Sequence, residues 1–240
     1  MTPPLVLIPG TLCDARIFKR VTPKLRSTIS VRYLGLDRLN SRQQWVRGLI
    51  RTLPNRFTLA GFSLGGLVAL EILRLVPERV TGLALISSNA EAAGAKHRHA
   101  RRHLTDRLRH WDRRRLCGHL KQRYFLSQRT AIKNRSTLVK MAQITTIRRA
   151  LNQFKFAATR REGYSCLHNF QRPLLIMSGQ LDSVCPANLQ IKAARSGRAS
   201  TLTLLPRCGH FSPLESPGRV STSLLKWIKE AKLESENVHT

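Results

Sequence analysis

The chain has 240 residues, 42% of them hydrophobic, and a formal net charge of +29 from 42 Lys and Arg residues against 13 Asp and Glu residues. This length predicts one domain with room for an insertion, and no apolar run approaches the roughly 18 residues of a membrane-spanning helix. The five cysteines have no paired spacing and the first residues have no signal-peptide pattern, which argues against a disulfide framework or a structural zinc site and favours a cytoplasmic protein.

Short apolar runs alternate with helical patterns over both ends of the chain. Strands are predicted at 5–8, 30–36, 57–60, 80–86, 173–179 and 201–205. Helices are predicted at 41–53, 67–73, 187–195 and 220–232, while 15–25 is helical or irregular. Alternating strands and helices predict an α/β fold, in which helices cover both faces of a mostly parallel sheet.

The strand pattern is missing between Ser88 and Arg172. Helical segments rich in Arg, Lys and Leu replace it, at 97–110, 113–126, 130–141 and 145–158. We therefore predict a core of residues 1–90 and 170–240, with a basic helical cap of residues 91–169 inserted after the strand at 80–86. The cap is expected to be a lid over the carboxyl ends of the strands, where ligands bind in open α/β sheets. A peripheral helical decoration is the alternative.

The central motif is Gly61-Phe62-Ser63-Leu64-Gly65, between a predicted buried strand and a predicted apolar helix. This context is typical of a nucleophile elbow, a sharp turn that lifts a serine hydroxyl clear of the sheet. Such a turn holds its serine at positive φ, so the neighbouring positions must lack bulk, as Gly61 and Gly65 do. The spacing alone also suits a flexible Gly-Ser turn, but the flanking strand and helix favour a nucleophilic Ser63.

A serine hydroxyl needs a base, and the base needs a group that fixes its tautomer. Asp182 follows the strand at 173–179 and His210 follows the strand at 201–205, so both are expected at the same sheet edge as Ser63. Taken alone, Asp182 would suit a turn or helix cap, and His210 would suit a structural turn. Together they complete the order Ser, Asp, His that follows a nucleophile elbow, and we predict a catalytic triad.

An oxyanion hole requires backbone N–H donors from the residue after the nucleophile and from the loop after an early strand. Leu64 suits the first role. The loop after the strand at 5–8 suits the second, with Thr11 the favoured donor and Leu12 the alternative.

Four segments together resemble the α/β-hydrolase superfamily, in particular small bacterial carboxylesterases such as the pimeloyl-carrier-protein methyl ester esterases. These segments are 4–14, 60–66, 179–182 and 208–215. The resemblance implies an eight-stranded type of sheet, a triad of Ser63, Asp182 and His210, and oxyanion donors at Thr11 and Leu64. One departure is Pro9, where many relatives have His before the glycine.

The function predicted from these residues is hydrolysis of a carboxylic ester or a related acyl substrate through an acyl-enzyme. Another reaction of this superfamily, such as hydrolysis of a lactone or a C–C bond or a lyase reaction, is one alternative. A non-catalytic basic binding protein on the same scaffold is the other. No phosphate-binding or dinucleotide glycine pattern is present in the sequence, so we expect no cofactor.

The positive charge is concentrated in residues 96–161, which hold 20 Lys and Arg residues and only Asp106 and Asp112 as acids. A solvated cationic surface is the favoured interpretation, because the rest of the chain is basic as well. Docking of an acidic substrate carrier is the second, since long-range attraction speeds encounter. Non-specific binding of nucleic acid is the least favoured, because Trp111, Tyr124 and Phe125 are too few for a base-stacking platform.

Histidines in the insert raise the question of a metal site. His99 and His103 are four residues apart and would share one helix face, but the neighbouring arginines would repel a cation, so we expect no metal. Cys13 and Cys208 flank the predicted site and are interpreted as small packing residues.

Overall fold

The structure, a computed structural model, describes residues 2–36, 42–110 and 125–237. Its strands are β1 Leu5–Ile8, β2 Val31–Tyr33, β3 Phe57–Phe62, β4 Val80–Ile86, β5 Leu174–Gly179 and β6 Ser200–Leu205. They form one sheet in the order β2-β1-β3-β4-β5-β6, and every neighbouring pair is parallel. The predicted α/β fold is confirmed. The described residues form six strands, however, and not the eight implied by the resemblance.

The helices connect successive strands, as the parallel sheet requires. Those of the described residues are α1 Thr22–Arg26, α2 Arg42–Ile50, α3 Leu64–Leu75, α4 Ala95–Leu108, α5 Gln128–Ile144, α6 Ile147–Ala158, α7 Tyr164–Asn169, α8 Ala187–Ser196, α9 Ser212–Glu215 and α10 Pro217–Asn237. Short 3₁₀ turns cover Ala15–Phe18 and Pro77–Arg79. Within the described ranges no helix combines the length and the apolar character needed to cross a bilayer.

Most predicted elements are found within a few residues of their expected ends. The second strand is shorter than the predicted 30–36, because its edge position pairs it only with the four-residue β1. The helix predicted at 113–126 falls largely on residues 111–124, outside the described residues, and Phe125 and Leu126 at its end are not helical. The helices α7 and α9 were not predicted, since each is too short to show helical periodicity.

The strands separate two apolar layers because successive side chains point to opposite faces of a sheet. Val6 and Ile8 pack on the face covered by α2, α3 and α8, whereas Leu5 and Leu7 pack on the face covered by α1 and α10. All four side chains are at most 1% exposed. Burial on both faces explains why β1 is a continuous apolar run and not an alternating one.

The helices α4 to α7 lie between β4 and β5 in the chain, and they contact the loops that follow the strands. The guanidinium of Arg16, in the loop region after β1, donates to the carbonyl of Lys140 on α5 at 2.9 Å. The Leu126 N–H donates to the carboxylate of Glu215, after β6, at 3.1 Å. Helix α5 and the residues just before it therefore contact the carboxyl edge of the sheet.

Candidate active site

The Gly-x-Ser-x-Gly segment forms a sharp turn between β3 and α3. Ser63 has φ 51° and ψ −114° and directly precedes the first residue of α3. Its N–H donates to the carbonyl of Ile86 at 2.9 Å, and its carbonyl accepts from the Ser88 hydroxyl at 2.8 Å. A serine at positive φ is costly and persists only where neighbouring contacts fix it, and these two bonds to the β4 end contribute to that.

The two glycines of the motif are required by close backbone approach. A Cβ atom on Gly61 would lie 2.3 Å from the carbonyl oxygen of Gly65. A Cβ on Gly65 would lie 2.2 Å from the carbonyl oxygen of Ile8 in β1. Both distances are far inside van der Waals contact, so any larger residue would push α3 away from the sheet. The prediction that Gly61 and Gly65 are needed because these positions must lack bulk is confirmed.

The side chain of His210 lies against the serine hydroxyl. Its Nε2 is 3.0 Å from Ser63 Oγ, and the imidazole is buried beside the rings of Phe62 and Phe211, with centroids 5.5 and 5.9 Å away. His210 occupies the loop after β6, as the sequence predicts. The aromatic contacts restrict the ring, and Nε2 stays directed at the hydroxyl.

The carboxylate of Asp182 orients the other side of this imidazole. Its Oδ2 is 2.9 Å from His210 Nδ1 and accepts from the Ser178 hydroxyl at 3.1 Å. Its Oδ1 accepts from the N–H groups of Val184 and Cys185, both at 2.8 Å. The carboxylate is therefore held from several directions in the turn after β5. Ser63, Asp182 and His210 are distant in sequence and form one hydrogen-bonded row.

The two predicted oxyanion donors belong to segments that approach Ser63. Leu64 is the first residue of α3, where backbone N–H groups have no partner within the helix. The loop after β1 passes close to Ser63, since a Cβ atom on Gly10 would lie 3.2 Å from Ser63 Cβ. The alternative donor, Leu12, is already committed, because its N–H donates to Gln153 Oε1 on α6 at 2.8 Å. This geometry favours Thr11 over Leu12.

Glu215 is a site-adjacent residue whose role the sequence did not predict. Its Oε2 accepts from the N–H of Gly209 at 3.2 Å, and so it braces the loop that carries His210. Burial raises the pKa of the Glu215 carboxyl, and hydrogen bonds from backbone N–H groups oppose that rise. The offset of six residues between Gly209 and Glu215 matches neither helical nor strand periodicity, so the sequence carries no signal for this contact.

The surroundings of Cys13 and Cys208 disfavour the thiolate form of both side chains. Burial raises the pKa of the Cys208 thiol to about 12, and it raises that of Cys13 further. Both side chains pack with the core layer that contains β1 and β6. A thiolate is the reactive form of cysteine, so this burial fits the interpretation of both as packing residues.

Candidate metal ligands are few among the residues that the structure describes. Asp182, Cys185 and His210 have ligand atoms within 4.8 Å of one another, but Asp182 and His210 are already joined to each other and to the serine. On α4, Nε2 of His99 lies 2.9 Å from Nε2 of His103. The two histidines therefore share a helix face, as their spacing indicates.

Sequence similarity to a known protein extends over most of the chain. It is 26% identical over 177 residues to the dihydrolipoyllysine-residue acetyltransferase component of the acetoin cleaving system of Pseudomonas putida, covering 72% of this chain and 45% of that protein. It is 33% identical over 94 residues to a pimeloyl-(acyl-carrier protein) methyl ester esterase of Aromatoleum aromaticum, covering 36% of this chain and 38% of that protein. The chain thus spans less than half the length of these curated relatives.

Similarity is broader at the level of structure. A thermophilic esterase from Thermogutta terrifontis superposes with a TM-score of 0.82 over 96% of this chain and 90% of that chain, at 20% sequence identity. At such identity the likeness establishes a shared fold. The sequence model of the alpha/beta hydrolase family matches residues 5–222. Because this match covers most of the chain, the protein belongs to the alpha/beta hydrolase family.

Proposed function

We propose that this protein is a serine esterase in which Ser63 attacks the carbonyl carbon of a carboxylic ester. The observation that carries the proposal is the hydrogen-bonded row from Ser63 Oγ through His210 to Asp182, with distances of 3.0 and 2.9 Å. An activated nucleophile requires a hydroxyl within reach of an imidazole that is itself oriented by a carboxylate. Membership of the alpha/beta hydrolase family supports the same assignment.

In the proposed first step, His210 Nε2 accepts the Ser63 proton while Oγ bonds to the carbonyl carbon. The imidazolium then donates that proton to the leaving alcohol oxygen as the C–O bond breaks, which leaves an acyl-enzyme. Water releases the acid by the same route in reverse, with His210 as the base. Asp182 accepts from Nδ1–H throughout, so that Nε2 is free to accept a proton, and its charge balances the imidazolium.

Negative charge on the carbonyl oxygen needs fixed donors. We propose the backbone N–H groups of Thr11, in the loop after β1, and of Leu64, at the start of α3. The Leu12 N–H already donates to Gln153, which supports Thr11 as the donor from this loop. Leu64 also begins α3, so the dipole of a twelve-residue helix favours negative charge at this position.

The test of this function is Ser63→Ala together with a fluorophosphonate probe. We expect the parent protein to hydrolyse p-nitrophenyl acetate and to be labelled by the probe, since both require an activated serine. Ser63→Ala should lose both while its circular dichroism is unchanged. Ser27→Ala, which alters an exposed hydroxyl, is the control and should keep both.

Two results would contradict the proposal. Turnover retained in Ser63→Ala would place the chemistry on another group. A folded parent protein with neither turnover nor labelling would favour the alternative of a non-catalytic basic binding protein. A panel of linear esters, lactones and C–C substrates of graded length would separate ester hydrolysis from the other reactions of the family.

We propose an ester carried by an acidic partner as the substrate class, which is the second interpretation of the basic insertion. Helix α5 exposes Arg129, Lys133, Arg135 and Lys140 and has no acidic residue. We propose that residues 91–169 form a cap over the sheet edge, where this charge would meet an acidic carrier protein. One relative is named as acting on a pimeloyl ester of acyl-carrier protein.

Salt dependence tests the carrier proposal. We expect turnover of a methyl pimeloyl ester on acyl-carrier protein to fall as ionic strength rises from about 0.01 to 0.5 M, where screening shortens from about 30 Å to a few ångströms. Turnover of p-nitrophenyl acetate should change little. Lys133→Glu should weaken only the carrier reaction. An equal salt response of both substrates would leave the solvated cationic surface as the correct interpretation.

A further inference from the structure

The loop after β1 contains a leucine in a conformation that leucine disfavours. The N–H of Cys13 donates to the carbonyl of Gly10 at 3.1 Å, which closes a four-residue turn. Leu12, the third residue of this turn, has φ 57°. In turns with positive φ at this position, glycine or asparagine is usual, because a Cβ atom crowds the backbone there. The turn therefore depends on contacts from outside it.

The central peptide of the turn, between Thr11 and Leu12, is held at both ends. Its N–H donates to the Oε1 of Gln153 at 2.8 Å in a buried bond. Its carbonyl accepts from the Cys13 thiol at 3.4 Å, and burial keeps that thiol protonated by raising its pKa. Turns of the two common types differ mainly in the direction of this peptide. The hydrogen bond to Gln153 thus stabilises the direction of the Thr11–Leu12 peptide that places Leu12 at positive φ.

The Leu12 side chain is fixed by the same helices that supply Gln153. It is 1% exposed and packs in a small cluster with Leu104 of α4 and with Ala150 and Phe154 of α6. Gln153 is 3% exposed and lies on α6 between the last two of these. The inserted helices therefore contact the loop through one apolar side chain and one directed hydrogen bond.

We propose that Gln153 is a positioning residue of the esterase, which holds the turn so that the Thr11 N–H faces the carbonyl oxygen of the substrate. The proposal rests on the proposed function, because it concerns the same oxyanion donor. Without an acceptor at position 153, the Thr11–Leu12 peptide is free to rotate toward the negative φ that leucine prefers. The Thr11 N–H belongs to the adjoining Gly10–Thr11 peptide, so it shifts as the turn relaxes after this rotation, and catalysis is sensitive to displacements of about 1 Å.

Gln153→Leu is the test, because leucine has similar bulk and no acceptor. We expect kcat for p-nitrophenyl acetate to fall about 10- to 100-fold with KM within about threefold, since the donor acts mainly in the transition state. The pH dependence of kcat should keep its midpoint, because His210 and Asp182 are untouched. Gln153→Glu keeps an acceptor oxygen and should retain kcat within about tenfold of the parent.

Asn134→Leu provides the matched control. Asn134 is also a buried amide of the inserted helices, but its Nδ2 donates within α5 to Thr130 and does not reach the loop. We expect this variant to keep kcat. Equal losses in Asn134→Leu and Gln153→Leu would indicate general damage to the insertion and overturn the proposal. A kcat in Gln153→Glu as low as in Gln153→Leu would overturn it as well.

The remaining outcomes separate this inference from the function on which it rests. A Gln153→Leu variant with parental kcat and probe labelling would refute the positioning role and leave the esterase intact. A gain in kcat would mean that Gln153 blocks Leu12 as a donor, which is the opposite role. A folded parent without turnover or labelling would refute the esterase and this inference with it.

Discussion

Ser63 Oγ and His210 Nε2 lie 3.0 Å apart although 147 residues separate them in the chain. The contact exists because β3 and β6 are parallel strands of one sheet, with β4 and β5 between them. Residues that follow parallel strands emerge at the same edge. The distance therefore depends on the order of four strands as much as on the two residues.

Replacement of Asp182 by asparagine tests the orientation of His210. The amide would donate to Nδ1 and favour the imidazole tautomer with a proton on Nε2, which is unable to accept the Ser63 proton. We expect kcat to fall roughly 10³- to 10⁴-fold, measured with p-nitrophenyl acetate. The exposed Asp106→Asn is the control. A loss smaller than about tenfold would speak against Asp182 as the orienting group.

Close packing at the elbow predicts a large cost for Gly65→Ala. The added methyl would lie 2.2 Å from the carbonyl oxygen of Ile8, so we expect the free energy of unfolding to fall by about 1–3 kcal/mol or more. Gly48→Ala on α2 meets no atom within 4 Å and should raise stability by about 0.5–1 kcal/mol. Urea unfolding of both variants measures the contrast, and a neutral Gly65→Ala would contradict it.

A buried carboxylate anchors the returning end of the insertion. Glu71 on α3 is 4% exposed and pairs with Arg74 and with Arg161, which precedes α7. The Arg161 side chain is 47% exposed, so water still solvates part of its charge when the ion pair with Glu71 is removed. We expect Glu71→Gln to lower the free energy of unfolding by about 1–3 kcal/mol.

The exposed Glu78→Gln is the matched control for Glu71→Gln and should change the unfolding free energy by less than about 0.5 kcal/mol. Guanidinium titrations of the two variants supply the comparison. Equal effects would show that the Glu71 pairs add nothing to stability.

The raised pKa of Glu215 predicts that this residue makes the free energy of unfolding depend on pH. A carboxyl whose folded pKa exceeds its unfolded pKa binds protons more readily in the folded state. The stability that the Glu215 carboxyl contributes is therefore fully present at pH values below its ordinary pKa of 4.5. It is lost as the pH rises through the raised pKa of the folded state. Glu215→Gln has no such titration.

We therefore expect the stability of the parent relative to Glu215→Gln to decrease from about pH 4 to pH 8. Denaturant unfolding at several pH values measures the difference. A difference that grows with pH over this range would contradict a raised pKa and show that the carboxylate is stabilised in the fold.

The sequence determined the local elements and the order of the candidate site residues. The apolar run at β1 and the motif around Ser63 are local patterns, since strand burial and the tight turn each depend on a few adjacent residues. The positions of Asp182 and His210 after strands could be predicted for the same reason. The helix α7 and the contact of Glu215 with Gly209 could not, because neither leaves a periodic pattern.

Only the tertiary structure decided which groups meet at the edge of the sheet. It brought Gln153, from a helix with no catalytic motif, to the N–H of Leu12, and this contact supports the proposal of Thr11 as the oxyanion donor of its loop. Contacts of this kind depend on how helices pack on a sheet, which no single segment encodes. Adjacent residues determine the local chemistry, whereas the direction of a buried hydrogen bond depends on the whole fold.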